Sequence, residues 1–273
     1  MEVAIKEGIY IYCIIKSNPV RPYSAGAAVN GVSNGVNQPQ TFGPLGIGGR
    51  GDELYTICFN DLAAVVSNSP IKKYSIAREN LIPHERAIEE VMKAFTVLPV
   101  RFATIAADEE KVKRILEKDY DKFLNLLKNM EGKIELGLKV IFKEDIYNNI
   151  LRNYKDIKAL KEKLQGLPLE KTYYERMEIG KMVETALERE KGICKEDILN
   201  NLSPLVVETK TNNTYGEMMI MNAAFLVENS REIEFDQKIQ ELDAKYGDKA
   251  KFKYVGTLPP FNFVNLVIEA GNY

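Results

Sequence analysis

The 273-residue sequence contains no tryptophan, one histidine and three cysteines, and its charges nearly cancel. The widely spaced Cys13, Cys58 and Cys194, with a single histidine, supply neither a zinc ligand set nor a disulfide framework. With 37 basic and 39 acidic residues, the chain has no cationic excess to hold a nucleic-acid backbone. We therefore expect a protein with no metal, no cofactor and no nucleic-acid partner.

Long hydrophobic runs are absent as well. The two longest apolar stretches, 8–15 and 218–227, are about half the length that crosses a bilayer, and both have the composition of strands. The first residues include Glu2 and Glu7, and no signal-peptide cleavage pattern follows them. These features predict a cytoplasmic protein that does not insert into a lipid membrane.

Two features resemble a ligand site and a catalytic site, but the sequence around them argues against both functions. Residues 46–51 (GIGGRG) match the dinucleotide pattern G-x-G-x-x-G, but no strand precedes them and no helix follows. His84 lies on one apolar helical stripe with Ile88, Val91 and Phe95, and no nucleophile motif accompanies it. A hydrogen-bonded core histidine is therefore favoured over a catalytic one, and we predict no enzymatic activity.

Residues 1–131 predict an N-terminal α+β domain. Residues 8–16 are β-branched or aromatic almost throughout, which is typical of a strand buried on both faces. Residues 54–67 predict two strands that form a hairpin, with its turn at Asn60 and Asp61.

The same domain is predicted to contain a mobile loop and two helices. Residues 17–51 hold 8 of the 18 glycines and 4 of the 11 prolines, which predicts the loop. Pro83 suits the first turn of one helix, and residues 108–110 open a second helix that ends before Gly132. Residues 97–105 between the helices are predicted to be extended.

Residues 132–258 predict a second α+β domain with a β-α-β-β-α-β order. Its strands are predicted at 134–142, 205–210, 218–227 and 251–258. The first crossover is a long helical hairpin whose second helix carries Met177 on its packed stripe, and Glu135 falls on the wetter face of the first strand. This order is the plan of the ferredoxin-like split βαβ fold.

The remaining residues, 259–273, form an apolar C-terminal tail. Pro259 and Pro260 end the last strand, and Phe261 and Phe263 follow them. Two interpretations stand equally: the tail binds a partner through these phenylalanines, or it covers an apolar cleft of the protein itself.

Arg101 interrupts the apolar run 97–103, where a half-buried guanidinium would need a carboxylate or carbonyl partner. Glu85, which follows His84, is the candidate partner. A structural role for this pair is favoured over a functional one, because buried charges must be paired in any case.

Four segments, in this order along the chain, resemble the gas vesicle protein F/L family. They are 80–92 (NLIPHERAIEEVM), 97–104 (VLPVRFAT), 135–140 (ELGLKV) and 256–263 (GTLPPFNF). The opening strand at 8–12 is similar as well. The chain departs from the family at Leu136 and Leu258, where many members have tryptophan, and at Ala103, where glycine is usual.

This resemblance implies a cytoplasmic accessory protein of gas vesicle assembly that has no enzymatic activity and associates with gas vesicles. It also implies two α+β domains, the second ferredoxin-like, and binding to the small, very hydrophobic major gas vesicle shell protein and to other gas vesicle accessory proteins. The residues expected to bind a partner or to support the fold are His84, Glu85, Arg101, Pro259, Pro260, Phe261 and Phe263. The alternative, which rests on fold analogy alone, is a ferredoxin-like regulatory module that binds a small molecule.

Overall fold

The computed structural model describes residues 6–17 and 39–268, and the chain forms two compact units. Unit 1 contains the chain up to Glu135 and again from Thr257, and unit 2 is Leu136–Gly256. Both units combine helices with a sheet, as the α+β prediction states. The sequence predicts domain boundaries at 131 and 258 and a separate C-terminal tail. In the structure the described residues from Thr257 onward belong to unit 1.

Unit 1 is built on a six-stranded sheet. Its strands are β1 (Glu7–Lys16), β2 (Thr41–Gly43), β3 (Leu54–Phe59), β4 (Leu62–Pro70), β5 (Leu98–Pro99) and β6 (Ile105–Ala106). Their order is β2-β3-β4-β1-β5, and β6 also pairs with β1. The predicted hairpin is confirmed, because β3 and β4 are antiparallel and pair Phe59 with Leu62 across the left-handed Asn60. Most of the predicted mobile loop lies outside the described residues, but β2 falls within its last part.

Three helices accompany this sheet: α1 (Arg78–Met92), α2 (Glu109–Lys118) and α3 (Tyr120–Met130). Pro83 lies in the second turn of α1 and not in the first, because the helix already begins at Arg78. The predicted second helix is two helices, since the chain departs from helical geometry at Asp119. Asp108 caps α2 by accepting a 2.8 Å hydrogen bond from the Lys111 backbone N–H.

The prediction that β1 is buried on both faces is confirmed. The strand lies between β4 and β5 in the sheet and contacts both α1 and α3. Its register with β4 shifts between Ile11 and Cys13, so a bulge lets Tyr10, Tyr12 and Cys13 join the same core cluster as α1. The bulge thus brings two tyrosine hydroxyls into the apolar interior of unit 1.

Unit 2 carries a four-stranded sheet. Its strands are β7 (Lys133–Phe142), β8 (Glu208–Thr211), β9 (Met219–Glu228) and β10 (Ala250–Leu258). The helices are α4 (Ile146–Asn153), α5 (Lys155–Lys163), α6 (Tyr173–Leu202) and α7 (Glu232–Tyr246). The strand order is β10-β7-β9-β8, and the elements follow the predicted β-α-β-β-α-β sequence with α4 to α6 in the first crossover.

The helix α6 is a continuous 30-residue helix whose buried residues begin near its middle, at Ala186. Its buried residues are Ala186, Leu187, Cys194, Ile198 and Leu202. The prediction that Met177 lies on the packed stripe is wrong, since that side chain is 57% exposed. The first half of α6 lies against the short helices α4 and α5, which leave much of its surface open to water.

The glycines inside α6 generate a prediction about stability. A Cβ atom at Gly180 or Gly192 would have no neighbour within 4 Å. We expect Gly180→Ala and Gly192→Ala each to raise the free energy of unfolding by about 0.5–1 kcal/mol, because alanine loses less backbone entropy in a helix. Urea unfolding measures the change. Gly8→Ala is the control and must destabilise, since its Cβ would lie 2.7 Å from the Ala106 carbonyl oxygen.

Candidate functional site

His84 lies at the centre of a buried polar network in unit 1 and is 3% exposed. The Tyr10 hydroxyl lies 3.1 Å from His84 Nδ1 and accepts a 2.8 Å hydrogen bond from the Ala103 backbone N–H. His84 also forms a hydrogen bond with the backbone of Val100. The predicted core histidine is therefore confirmed, and its ring joins α1 to the segment that follows β5.

One proton arrangement satisfies both groups. The Tyr10 oxygen accepts from Ala103 and its own proton goes to His84 Nδ1, so that the imidazole proton lies on the other ring nitrogen. This arrangement requires a neutral imidazole. Burial lowers the pKa of His84 to about 4, against a smaller raising effect from the Val100 hydrogen bond, and burial raises the pKa of Tyr10 above its usual range.

A second tyrosine anchors the glycine-rich segment. The Tyr12 hydroxyl accepts a 2.7 Å hydrogen bond from the Ile47 backbone N–H and lies 2.9 Å from Ser67 Oγ. The Ile47 side chain is completely buried in the core of unit 1. The segment 46–51 therefore serves the fold as an anchored loop. The expectation that no strand precedes it is wrong, since β2 ends at Gly43, but the expectation that no helix follows it is confirmed, since the next element is β3.

The predicted pairing of Arg101 with Glu85 is wrong. Both side chains are exposed, and no ion pair between them occurs among the described residues. The chain turns at this point because Ala103 adopts a left-handed conformation with φ of 63° and the Thr104 hydroxyl donates a 2.6 Å hydrogen bond to the Arg101 carbonyl. This turn buries Val100 and Thr104 instead, and it leaves the guanidinium in solvent.

Glu135 is the functional side chain that the sequence argument missed. It was assigned to the wetter face of β7, yet it is 2% exposed. Its carboxylate accepts a 2.8 Å hydrogen bond from the Asn262 backbone N–H and a second bond of 2.6 Å from Asn262 Nδ2. The signal available in the sequence was a carboxylate within an otherwise apolar segment, next to the apolar Ile134 and Leu136.

The C-terminal segment packs on unit 1. Pro259 and Pro260 are buried, and Phe261 lies against the core cluster that contains Tyr10 and Tyr12. Leu266, which is 2% exposed, forms an isolated parallel bridge with Val100. The interpretation that the tail covers the protein's own apolar surface therefore holds for residues up to 268. A partner-binding role for the half-buried Phe261 and Phe263 stays a prediction.

Residues from the four segments that carry the family resemblance thus meet in unit 1. α1 supplies His84, the segment after β5 supplies Val100 and Ala103, and Glu135 at the start of the third segment holds Asn262 of the fourth. Their common chemistry is the satisfaction of buried polar groups, and no nucleophile with an adjacent base is among them.

A family model described as gas vesicle synthesis protein GvpL/GvpF matches residues 8–265. The chain belongs to this family. The resemblance found in the sequence is therefore confirmed, and it extends over both units. Family membership gives the chain a role related to gas vesicles.

The similarity to individual members of the GvpL/GvpF family extends over most of the chain. Gas vesicle protein F of Dolichospermum flosaquae is 28% identical over 76% of this chain and 85% of its own length. Gas vesicle protein F of Microcystis aeruginosa is 26% identical over 95% of this chain and 99% of its own length. The crystal structure of GvpF from Anabaena sp. PCC7120 covers 96% of this chain and 99% of its own, with a TM-score of 0.75 and 23% identity, and it supports the fold.

Exposed apolar side chains of this GvpL/GvpF family member are concentrated at one place in unit 2. Of the twelve exposed large hydrophobic residues among the described ones, five lie between positions 167 and 177. We name them the hairpin tip: Leu167, Leu169, Tyr173, Tyr174 and Met177, which are 48% to 82% exposed. None of the described helices is long and apolar enough to cross a membrane.

The buried histidine generates a prediction about pH. The pKa of His84 falls from 6.5 to about 4 on folding, so between these values the unfolded chain binds the extra proton. Acidification from pH 6.5 to 4 therefore lowers stability, by up to about 3 kcal/mol from this group. We expect the stability gap between wild type and His84→Gln to shrink over that window in urea unfolding. Parallel pH profiles of the two proteins would contradict the buried neutral histidine.

The Glu135 contact generates a second prediction. Glu135→Ala removes both acceptors of Asn262, so we expect unfolding free energy to fall by about 2–4 kcal/mol and the C-terminal segment to become accessible to protease. Glu131→Ala is the matched control, because Glu131 makes only an exposed 3.5 Å ion pair with Lys16, worth less than about 1 kcal/mol. Equal losses in the two variants would refute the anchoring role of Glu135.

Proposed function

We propose that this chain is a non-enzymatic accessory or minor structural protein of gas vesicle assembly that binds the major gas vesicle shell protein. The observation that carries the proposal is family membership, since the matching model is named for gas vesicle synthesis and spans residues 8–265. We further propose that the protein resides in the cytoplasm in association with gas vesicles and contacts other gas vesicle accessory proteins.

The binding of a hydrophobic partner is supported by the surface of unit 2. A shell subunit rich in strands and apolar surface aggregates through its open edges unless another protein covers them. The hairpin tip carries five exposed apolar side chains close together in sequence, and soluble proteins keep exposed apolar patches mainly at interaction sites. Two of its members, Tyr173 and Tyr174, are aromatic residues of the type enriched at interfaces, and their rings lie 5.7 Å apart.

The tip has a local structural cause. Gly166 adopts a left-handed φ of 79° after α5, and a 3₁₀ turn, Leu169–Lys171, leads into α6. Around these two turns the apolar side chains are left exposed. We therefore propose the hairpin tip as the shell-binding surface, in preference to the segment of Phe261 and Phe263. That segment packs against the core of unit 1 through Phe261.

We also propose that unit 2 is ferredoxin-like. In its sheet the first and third strands in sequence, β7 and β9, are central neighbours, and the second and fourth, β8 and β10, lie at the edges. This order supports two interleaved βαβ units, in which α4 to α6 form an enlarged first crossover. The enlargement is the part of unit 2 that carries the hairpin tip.

Co-purification tests the proposal. Tagged wild-type protein is expected to retain the major shell protein when both are produced in one cell, and Leu169→Glu with Tyr174→Glu should reduce retention at least about tenfold. The matched control exchanges two equally exposed residues of unit 2 outside the tip, Tyr215→Glu with Ile233→Glu, and should bind normally. Circular dichroism verifies that both double variants are folded.

The outcomes separate the two parts of the proposal. If the wild-type protein retains no shell protein, binding to the shell protein is refuted. If the tip variant and the control variant retain equal amounts, shell binding stands and its assignment to the hairpin tip fails.

A further inference from the structure

A cavity of about 600 Å³ lies between α4, α5 and the first half of α6 in unit 2. Its apolar wall includes Leu151, Leu164 and Ile179. Four cationic side chains line it, and one carboxylate, that of Glu162, faces them. The cations are Arg152, Lys158, Lys161 and Arg176. A cavity of this volume accommodates a ligand of the size of a mononucleotide.

The charged side chains that line this cavity are mostly cationic. The whole chain has a formal net charge of −2, yet cations outnumber carboxylates four to one here. The ion pairs formed among the described residues involve none of these four cations. Uncompensated cations that converge on a concave wall concentrate positive potential, and that potential attracts anions.

One of the four cations is held in a defined orientation. Thr172 is 3% exposed, and its hydroxyl donates a 3.0 Å hydrogen bond to the Pro168 carbonyl. The same oxygen accepts a 2.9 Å hydrogen bond from Arg176 Nε. The terminal nitrogens of Arg176 take part in none of the other hydrogen bonds of the described residues. A guanidinium fixed at Nε with its two terminal nitrogens available matches the oxygens of a phosphate group.

We propose that this cavity binds a small anion that carries two or more phosphate groups, of which a nucleoside triphosphate is the member that fits best. The phosphates contact Arg176 and the neighbouring Lys158 and Lys161, and the organic part lies against Leu151, Leu164 and Ile179. A nucleic-acid strand fits less well, because the four cations line one local concavity of a chain with no overall positive charge. The inference does not depend on shell binding.

Isothermal titration calorimetry of the full-length protein tests the site with ATP, inorganic tripolyphosphate and adenosine. We expect ATP and tripolyphosphate to bind and adenosine not to bind, with affinity falling as salt is raised. Arg176→Gln should weaken ATP binding about tenfold or more, because it removes the oriented guanidinium and its two terminal nitrogens. Arg176→Lys keeps the positive charge but lacks the planar guanidinium, so this variant should bind ATP with intermediate affinity.

Arg189→Gln is the matched control. Arg189 lies on the same helix and lines a second cavity of about 420 Å³, where Asp156 and Glu178 accompany Lys155 and Lys181. This variant should bind ATP as the wild type does. The proposal is overturned if neither ATP nor tripolyphosphate binds at concentrations on the order of 1 mM, if adenosine alone binds, or if Arg176→Gln and Arg189→Gln have equal affinities. Tighter binding of ATP than of tripolyphosphate supports the role of the apolar wall.

Discussion

Polar groups that are buried in a protein interior need hydrogen-bond partners, and unit 1 depends on this constraint. β1 carries two tyrosines into the core, and each hydroxyl receives a backbone N–H from a distant segment: Ala103 for Tyr10 and Ile47 for Tyr12. His84 completes the group from α1. Three stretches of chain that are far apart in sequence are therefore held to the same strand, and none of them can move away without leaving a buried polar group unsatisfied.

The same constraint fixes the C-terminal segment. Glu135 is a buried carboxylate whose two oxygens are bound by Asn262, and Phe261 beside it packs on the core that contains the tyrosines. The residues of the four segments thus serve mainly to hold distant parts of unit 1 together. Exposed apolar side chains are concentrated elsewhere, at the hairpin tip of unit 2, where the chain turns between α5 and α6.

The helical hairpin of unit 2 carries two kinds of surface. Exposed apolar residues gather at its tip, and uncompensated cations line the cavity beside its helices. The part of α6 before Ala186, which contributes to both surfaces, contains no buried residue.

Local chemistry was enough to determine much of this protein from its sequence. The β-branched run of β1, the hairpin at Asn60, the β-α-β-β-α-β order and the core position of His84 follow from periodicity and turn residues, and four short segments indicated the family. Tertiary structure alone decided the rest. The alternation of β7 predicts that Glu135 faces solvent, yet it is buried. The apolar run around Arg101 and the helical stripe of Met177 predict burial, yet both side chains are exposed. Burial depends on which distant segment covers a residue, and no local pattern encodes that contact.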